Sequence, residues 1–223
     1  MASGKKDGGP HAELRLSALQ LDALKELSTI GMGNAINTFA GLIGSKVSLK
    51  LSAMELASVE EVSSIFGEKN VLVTGIYLRM RGDINGTSLL MLPRESAVSL
   101  AGILNERRKP SASGVLTELD RSSLGELGSM LTAAYLNAVT EMLHLHVELS
   151  VPAVVFNNAG DIIGFVLPKS DDNIRYSIIA QIQFVSSDKP IDGEFLFLLN
   201  EATMIKLLSS VYEQLQRNRH TPK

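Results

Sequence analysis

Residues 22–53, DALKELSTIGMGNAINTFAGLIGSKVSLKLSA, return one hundred positions later as residues 122–153, SSLGELGSMLTAAYLNAVTEMLHLHVELSVPA. Aligned without a gap, the two stretches share Leu24/Leu124, Glu26/Glu126, Leu27/Leu127, Asn37/Asn137, Val47/Val147, Leu49/Leu149 and Ala53/Ala153. Chance would supply about two such pairs. The likeness resumes at an offset of 107, where Asn85-Gly86 followed by Leu89, Leu92 and Leu100 matches Asp192-Gly193 followed by Leu196, Leu199 and Leu207. A seven-residue insertion lies in between. So long a period belongs to a duplicated half-domain and not to a solenoid array.

Each copy opens on a helical pattern. Leu21, Leu24, Ala35, Phe39 and Leu42 share one side at about 100° per residue, opposite Asp22, Glu26, Thr29, Gly33 and Asn37. In the second copy Leu124, Leu131, Tyr135, Val139 and Met142 form the apolar stripe, while Ser122, Glu126, Ser129, Ala133 and Asn137 face away. Alternating strands follow over Val47–Leu51 and Val147–Val151, and again over Val71–Met80 and Tyr176–Val185. Asn85-Gly86 and Asp192-Gly193 carry hairpin-turn chemistry. Each half closes on a helix, Arg94–Leu104 and Glu201–Leu215, the second capped by Asn200.

Strands joined by hairpins between helices imply an α+β fold: a pseudo-twofold duplicated half-domain with a mostly antiparallel sheet, flanked by two long helices and two shorter ones. Shared between the halves, such a sheet covers strand edges that either half alone would expose. The chain divides into a flexible tail over 1–16, a single domain over 17–215 and a short tail over 216–223. The domain comprises repeats 17–105 and 115–215, joined by a linker over 106–114 rich in Arg, Lys, Pro and Ser.

Composition narrows the function. With 223 residues, 45% of them hydrophobic, the chain can bury a sizeable core. The lack of cysteine excludes disulfides, thiolate zinc sites and cysteine nucleophiles and suits a cytoplasmic setting. Lys5 and Lys6 lead into Gly8, Gly9 and Pro10 instead of an apolar leader. No run approaches the roughly 18 apolar residues of a membrane helix. A net charge of −3, 5% aromatics and no tryptophan argue against nucleic acid. The expected partner is a protein or a small molecule.

The outward faces of the two long helices hold the candidate chemistry. Glu26 with Thr29, and Glu126 with Ser129, place a carboxylate and a hydroxyl one turn apart. Such a pair can dock on a partner's cation and align a water. An exposed helical Glu is most often a solvated charge, but recurrence at the same place in both halves weakens that explanation. Ile30 and Met130 directly follow the hydroxyls and suit an apolar rim for a docked partner. Other features read as structural. Gly31-Met32-Gly33 follows no strand and fits close helix packing better than a phosphate loop. His144 and His146 can share a strand face but lack a third ligand. Met130 and Met142 keep helical spacing, as packing residues do.

At these positions the chain resembles the CheC, CheX and FliY chemotaxis phosphatases. Their signature is Asp or Ser, three residues, Glu, two residues, Asn, then twenty-two residues and Pro. The first copy reads Asp22, Glu26, Thr29 and Ser52; the second reads Ser122, Glu126, Ser129 and Pro152. Ile30-Gly31-Met32-Gly33-Asn34-Ala35 is similar to the family's Ile-Gly-Ala-Gly-Asn-Ala, and the resemblance spans about Ser17 to Leu215. It implies that Glu26 and Glu126 bind a lysine of a CheY-type response regulator, with Thr29 and Ser129 at the water-orienting position. It also implies that Mg²⁺ and the aspartyl phosphate belong to the regulator, with no cofactor held by this chain.

Both copies have a hydroxyl where the family has Asn, and the first has Ser52 where the family has Pro. Two outcomes stay open: an attenuated aspartyl-phosphate phosphatase, with the second site the better, or a silent binding partner of the deamidase CheD or of the phosphorylated regulator. A flagellar-switch component of the FliY kind would be expected to carry a further C-terminal domain, whereas the chain stops at Lys223, eight residues past Leu215.

Overall fold

The computed structural model describes residues 17–43, 47–67, 71–106, 115–167, 174–186 and 190–220. The 1–16 tail and nearly all of the 106–114 linker lie outside the described residues. The element order runs twice. The first pass is α1 (Ala18–Ile43), β1 (Val47–Ser58), α2 (Val59–Gly67), β2 (Leu72–Gly82), β3 (Gly86–Pro93) and α3 (Arg94–Leu104). The second is α4 (Glu118–Leu143), β4 (Val147–Leu149), β5 (Ala153–Asn158), α5 (Ala159–Val166), β6 (Ile174–Ser186), β7 (Pro190–Asn200) and α6 (Glu201–His220). The α+β expectation holds. Two short helices, α2 and α5, add to those read from the sequence, and α6 continues into the segment expected to be a C-terminal tail.

Every strand pairing is antiparallel. The sheet runs β1-β6-β7-β3-β2-β4, with β5 beside β4 on the same flank of β2. Its centre is the β3–β7 pair, where Leu89 faces Leu196. These two leucines are equivalents of one another at the 107 offset, so the pseudo-twofold axis passes between them. Each half also lends a strand to the other: β1 pairs with β6, and β4 and β5 with β2.

Most of the insertion, which falls within the second copy, lengthens the β6–β7 hairpin. Asp192 and Gly193 therefore do not turn the chain, as the sequence suggested, but lie inside β7 opposite Gln183 and Ile182. Gly193 is glycine because a Cβ there would sit 2.7 Å from Leu92 Cδ2. Asn85 does sit at a hairpin end, where its backbone N–H donates to Thr203 Oγ1 (2.8 Å) and Thr203 Oγ1 donates to the Asn85 carbonyl. Asn200 caps α6 by accepting from the Thr203 N–H at 2.8 Å.

Helices cover both faces of the sheet. On one face, α1, α3, α4 and α6 bury residues such as Phe39, Leu100, Leu131 and Met204. On the other, α2 and α5 bury Val62, Phe66, Ile162 and Val166 over Leu89 and Leu196. Each such side chain contributes roughly 1.5–3 kcal/mol of hydrophobic stabilisation. Of the apolar stripes read from the sequence, Leu24, Ala35, Phe39, Leu124, Leu131, Tyr135 and Val139 are buried and Leu21 is half-buried, although Met142 is 37% exposed; the Leu42 side chain lies outside the described ones. His144 is the left-handed cap ending α4 (φ 54°), so it shares no strand face with His146.

The two long helices touch where side chains are smallest. A Cβ on Gly31 would meet the Tyr135 ring at 2.8 Å, and Asn34 Nδ2 donates to the Ala134 carbonyl at 2.7 Å. Gly33 has nothing within 4 Å, so only the first of the two glycines serves packing. Tyr135 also stacks on Phe197, with ring centroids 3.9 Å apart. Burial pushes its phenol from 10.0 up to about 12, a nearby Ser28 hydroxyl offsetting part of the rise. Because the folded pKa is raised, this stabilisation is complete below pH 10 and fades as pH climbs toward 12. Tyr135→Phe should therefore unfold with a flatter pH dependence than the parent in that alkaline window, read by urea midpoints.

Asp83 ties three elements together. Lys206 of α6 donates to its carboxylate, and the His146 N–H donates to Oδ2 at 2.8 Å. The Lys206 hydrogen bond, then that of His146, holds its pKa below 3.8. A depressed carboxylate contributes stability above the unfolded pKa and loses it as pH falls through the folded one. Asp83→Asn should lower the urea midpoint at pH 7, and the gap to the parent should close in acid below 3.8.

Candidate functional site

Helix α4 begins at a capping box, Thr117 accepting from the Asp120 N–H while Asp120 accepts from the Thr117 N–H. One turn on, the outward face carries Ser122 and Glu126, both exposed, then Ser129 and Met130, both half-buried. Pro152 completes the group: its Cγ lies 3.4 Å from where a Cβ on Gly125 would stand. The proline ring thus lies against the helix beside Glu126. The proline has no N–H to give the sheet, and the strand expected over Val147–Val151 breaks into β4 and β5 around it. Ser150 fills the break: its N–H donates to the Arg79 carbonyl and its Oγ accepts from the Arg79 N–H, both at 3.0 Å.

The first copy is built differently. Asp22, Glu26 and Thr29 are exposed on α1, and Ile30 is 42% exposed. Thr29 Oγ1 donates to the Lys25 carbonyl at 2.8 Å, which folds the hydroxyl back along the helix. Its two lone pairs can accept from a water, but it has no proton left to give. Ser52 occupies the register shift of an otherwise continuous β1. Lys25 stands where the second copy has Gly125, and its side chain lines a crevice with Met54 and Glu55.

The structure therefore brings Ser122, Glu126, Ser129 and Pro152 to one place and puts Asp22, Glu26 and Thr29 on the matching face of α1. Lys25 and Gly125, one residue before each Glu, were not singled out in the sequence. The signal was present as a mismatch in the ungapped repeat. Both arrangements offer a solvent-facing carboxylate able to accept from a cation and a hydroxyl able to hold a water. Among the described residues no group of three His, Cys, Asp or Glu could hold a metal, and no helix is long and apolar enough to cross a membrane.

Fold and site together define a duplicated α+β protein that presents paired acid–hydroxyl motifs on two helices. No protein-family model matches the chain. The CheY-P phosphatase CheC of Bacillus subtilis (strain 168) is 30% identical over 145 residues, 65% of this chain and 69% of that protein. Thermotoga maritima FliY has the same fold, with a TM-score of 0.68 at 17% identity, covering 91% of this chain and 98% of that one. A chain of the CheX-CheY-BeF₃-Mg²⁺ complex from Borrelia burgdorferi matches with a TM-score of 0.50 at 14% identity, covering 81% and 99%. The chain belongs to the CheC/CheX/FliY family of chemotaxis phosphatases.

Proposed function

We propose that this protein binds a phosphorylated CheY-type response regulator in the cytoplasm and promotes hydrolysis of its aspartyl phosphate, chiefly at the α4 site. The observation carrying this reading is the exposure of Glu26 and Glu126 at equivalent places on two helices, each one turn from a hydroxyl. Glu126 would accept from a lysine of the regulator, and Ser129 would hold the attacking water. The water oxygen bonds to phosphorus as the bond to the aspartyl oxygen breaks, and the water's proton leaves with inorganic phosphate. Mg²⁺ stays with the regulator. Placement is what such a site contributes, because phosphoryl transfer gains mainly from positioning and charge stabilisation.

A second reading is a silent binder, of CheD or of the phosphorylated regulator. The replacement of Asn by Thr29 and Ser129, with the Thr29 proton already committed to Lys25, favours it. One assay separates the two. A regulator phosphorylated by a small phosphodonor should lose its phosphate faster with this protein than without, and Glu126→Ala should reduce that gain by about tenfold or more. No acceleration at stoichiometric concentration would reject the hydrolytic reading. Retention of the regulator or of CheD on immobilised protein, without turnover, would then establish the binder.

A further inference from the structure

Among the described residues the most exposed large apolar side chain is Val151, at 86%. Apolar residues scattered singly over a surface need no explanation, but this one is held in place. The Ser150 N–H donates to the Arg79 carbonyl, the Arg79 N–H donates to Ser150 Oγ, and Ser150 Oγ in turn donates to the Val151 carbonyl at 2.9 Å. On the other side Pro152 has a fixed φ and packs beside Gly125 of α4. A residue before proline is confined to extended backbone, and a β-branched side chain is stiff at χ1. The valine therefore loses little conformational entropy when a partner covers it, which is the condition that favours an anchor.

The repeat shows that this protrusion is not required by the fold. At the offset of 100 the equivalent residue is Leu51, inside the continuous β1 and half-buried against the core. The second copy, whose strand breaks around Pro152, turns the residue out to solvent next to the helix that carries Glu126. A second apolar contact lies along α4 itself. Leu119, Glu126 and Met130 stand at i, i+7 and i+11, within about 40° of one another around the axis, with Leu119 about 10 Å before Glu126 and Met130 about 6 Å after it. Leu119 is exposed, and so is Leu19 at the matching place on α1, in line with Glu26 and Ile30.

We propose that Val151 and Leu119 are the affinity-setting contacts of the α4 site, seating an apolar patch of the CheY-type regulator around Glu126 while the carboxylate takes a lysine. This rests on the regulator-binding reading above and supplies what the motif lacks. A carboxylate and a hydroxyl give register and selectivity, whereas rigid apolar anchors within a polar rim give affinity. Whatever covers Leu119 and Val151 also meets Glu126. A second copy docked by the same patch would bring its own Glu126 toward this one, like charge against like.

Steady-state dephosphorylation of a regulator phosphorylated by acetyl phosphate reads turnover, and an anisotropy titration with the same regulator in its beryllofluoride form reads affinity alone. Val151→Ser and Leu119→Ser should each raise KM and the dissociation constant by about tenfold with kcat unchanged, and Val151→Ile should keep the parental affinity. Both positions are exposed, so the fold should tolerate the changes. Ile65→Ser, an exposed apolar loss on α2 across the sheet, is the control and should alter neither quantity. Unchanged KM and affinity in both serine variants, or a loss shared by Ile65→Ser, would overturn the proposal while acceleration by the parent kept the phosphatase reading standing. A fall in kcat at constant KM would also overturn it, by making these residues part of the chemistry. If the parent binds without turnover, the titration alone decides; a parent that neither binds nor accelerates would remove the regulator reading and this proposal together. A parental dimer in sedimentation that Val151→Ser dissolves, with regulator affinity unchanged, would assign the valine to a second copy and overturn the proposal.

Discussion

Ser129→Asn is expected to speed dephosphorylation of a CheY-type regulator by about one to two orders of magnitude, and Thr29→Asn to do far less. The first part follows from reach. An amide carries a carbonyl and an NH₂ further from the backbone than a hydroxyl can stand, so it can grip a water in line with the phosphorus; a well-placed group of this kind changes rates by about 10²–10³. The second part follows from surroundings. At α4, Pro152 packs beside Gly125, and the glycine leaves Glu126 without a cation in the preceding position of the chain. At α1, Lys25 stands there instead, where its ammonium would oppose a lysine arriving from the regulator, and Ser52 replaces the proline. Single-turnover decay of the phosphorylated regulator measures both. Equal gains at the two sites would refute the asymmetry, and no gain at Ser129 would remove α4 as the working helix.

Gly86→Ala should be the most damaging small substitution in the sheet. Gly86 has φ +155°, and a Cβ would fall 2.0 Å from the Leu198 carbonyl oxygen across the central β3–β7 pair. That neighbour is backbone held by the ladder, so no rotamer relieves the clash. The two halves meet at this pair, and a loss of more than about 4 kcal/mol is expected, seen as a collapsed urea midpoint or as insoluble protein. Gly33→Ala is the control. With nothing within 4 Å and a helical backbone, it should gain roughly 0.5–1 kcal/mol. If both variants unfolded alike, the clash would not be the cause.

The parts of this fold visible in the sequence were those with local, repeated signals. The long helices announce themselves because 26 residues give the 3.6-residue period several turns in which to recur, twice over. Helices α2 and α5 escaped notice because nine and eight residues offer barely two turns, and a short apolar run such as Ala159–Val166 reads equally as strand. Asp192-Gly193 has the composition of a turn, but the pairing of β6 with β1 draws the hairpin out beyond it. The full length of β1, to Ser58, depends on that same distant partner. Glu26 and Glu126 were legible because an acid repeated on a polar face is a pattern. The hollow shared by Thr74 of β2, Arg94 of α3, Arg121 of α4 and Phe156 of β5 was not, since only the tertiary fold assembles those residues.

The exchange of strands between the halves sets an order for synthesis. As the chain leaves the ribosome, β1 is complete long before its partner β6, more than a hundred residues later, has been translated. Until then the amino-terminal half carries an unpaired strand with nothing to zip against. Contacts of such long sequence separation form slowly, so the nascent chain has a window in which chaperone capture or self-association competes with maturation, and that window closes only when the second hairpin arrives.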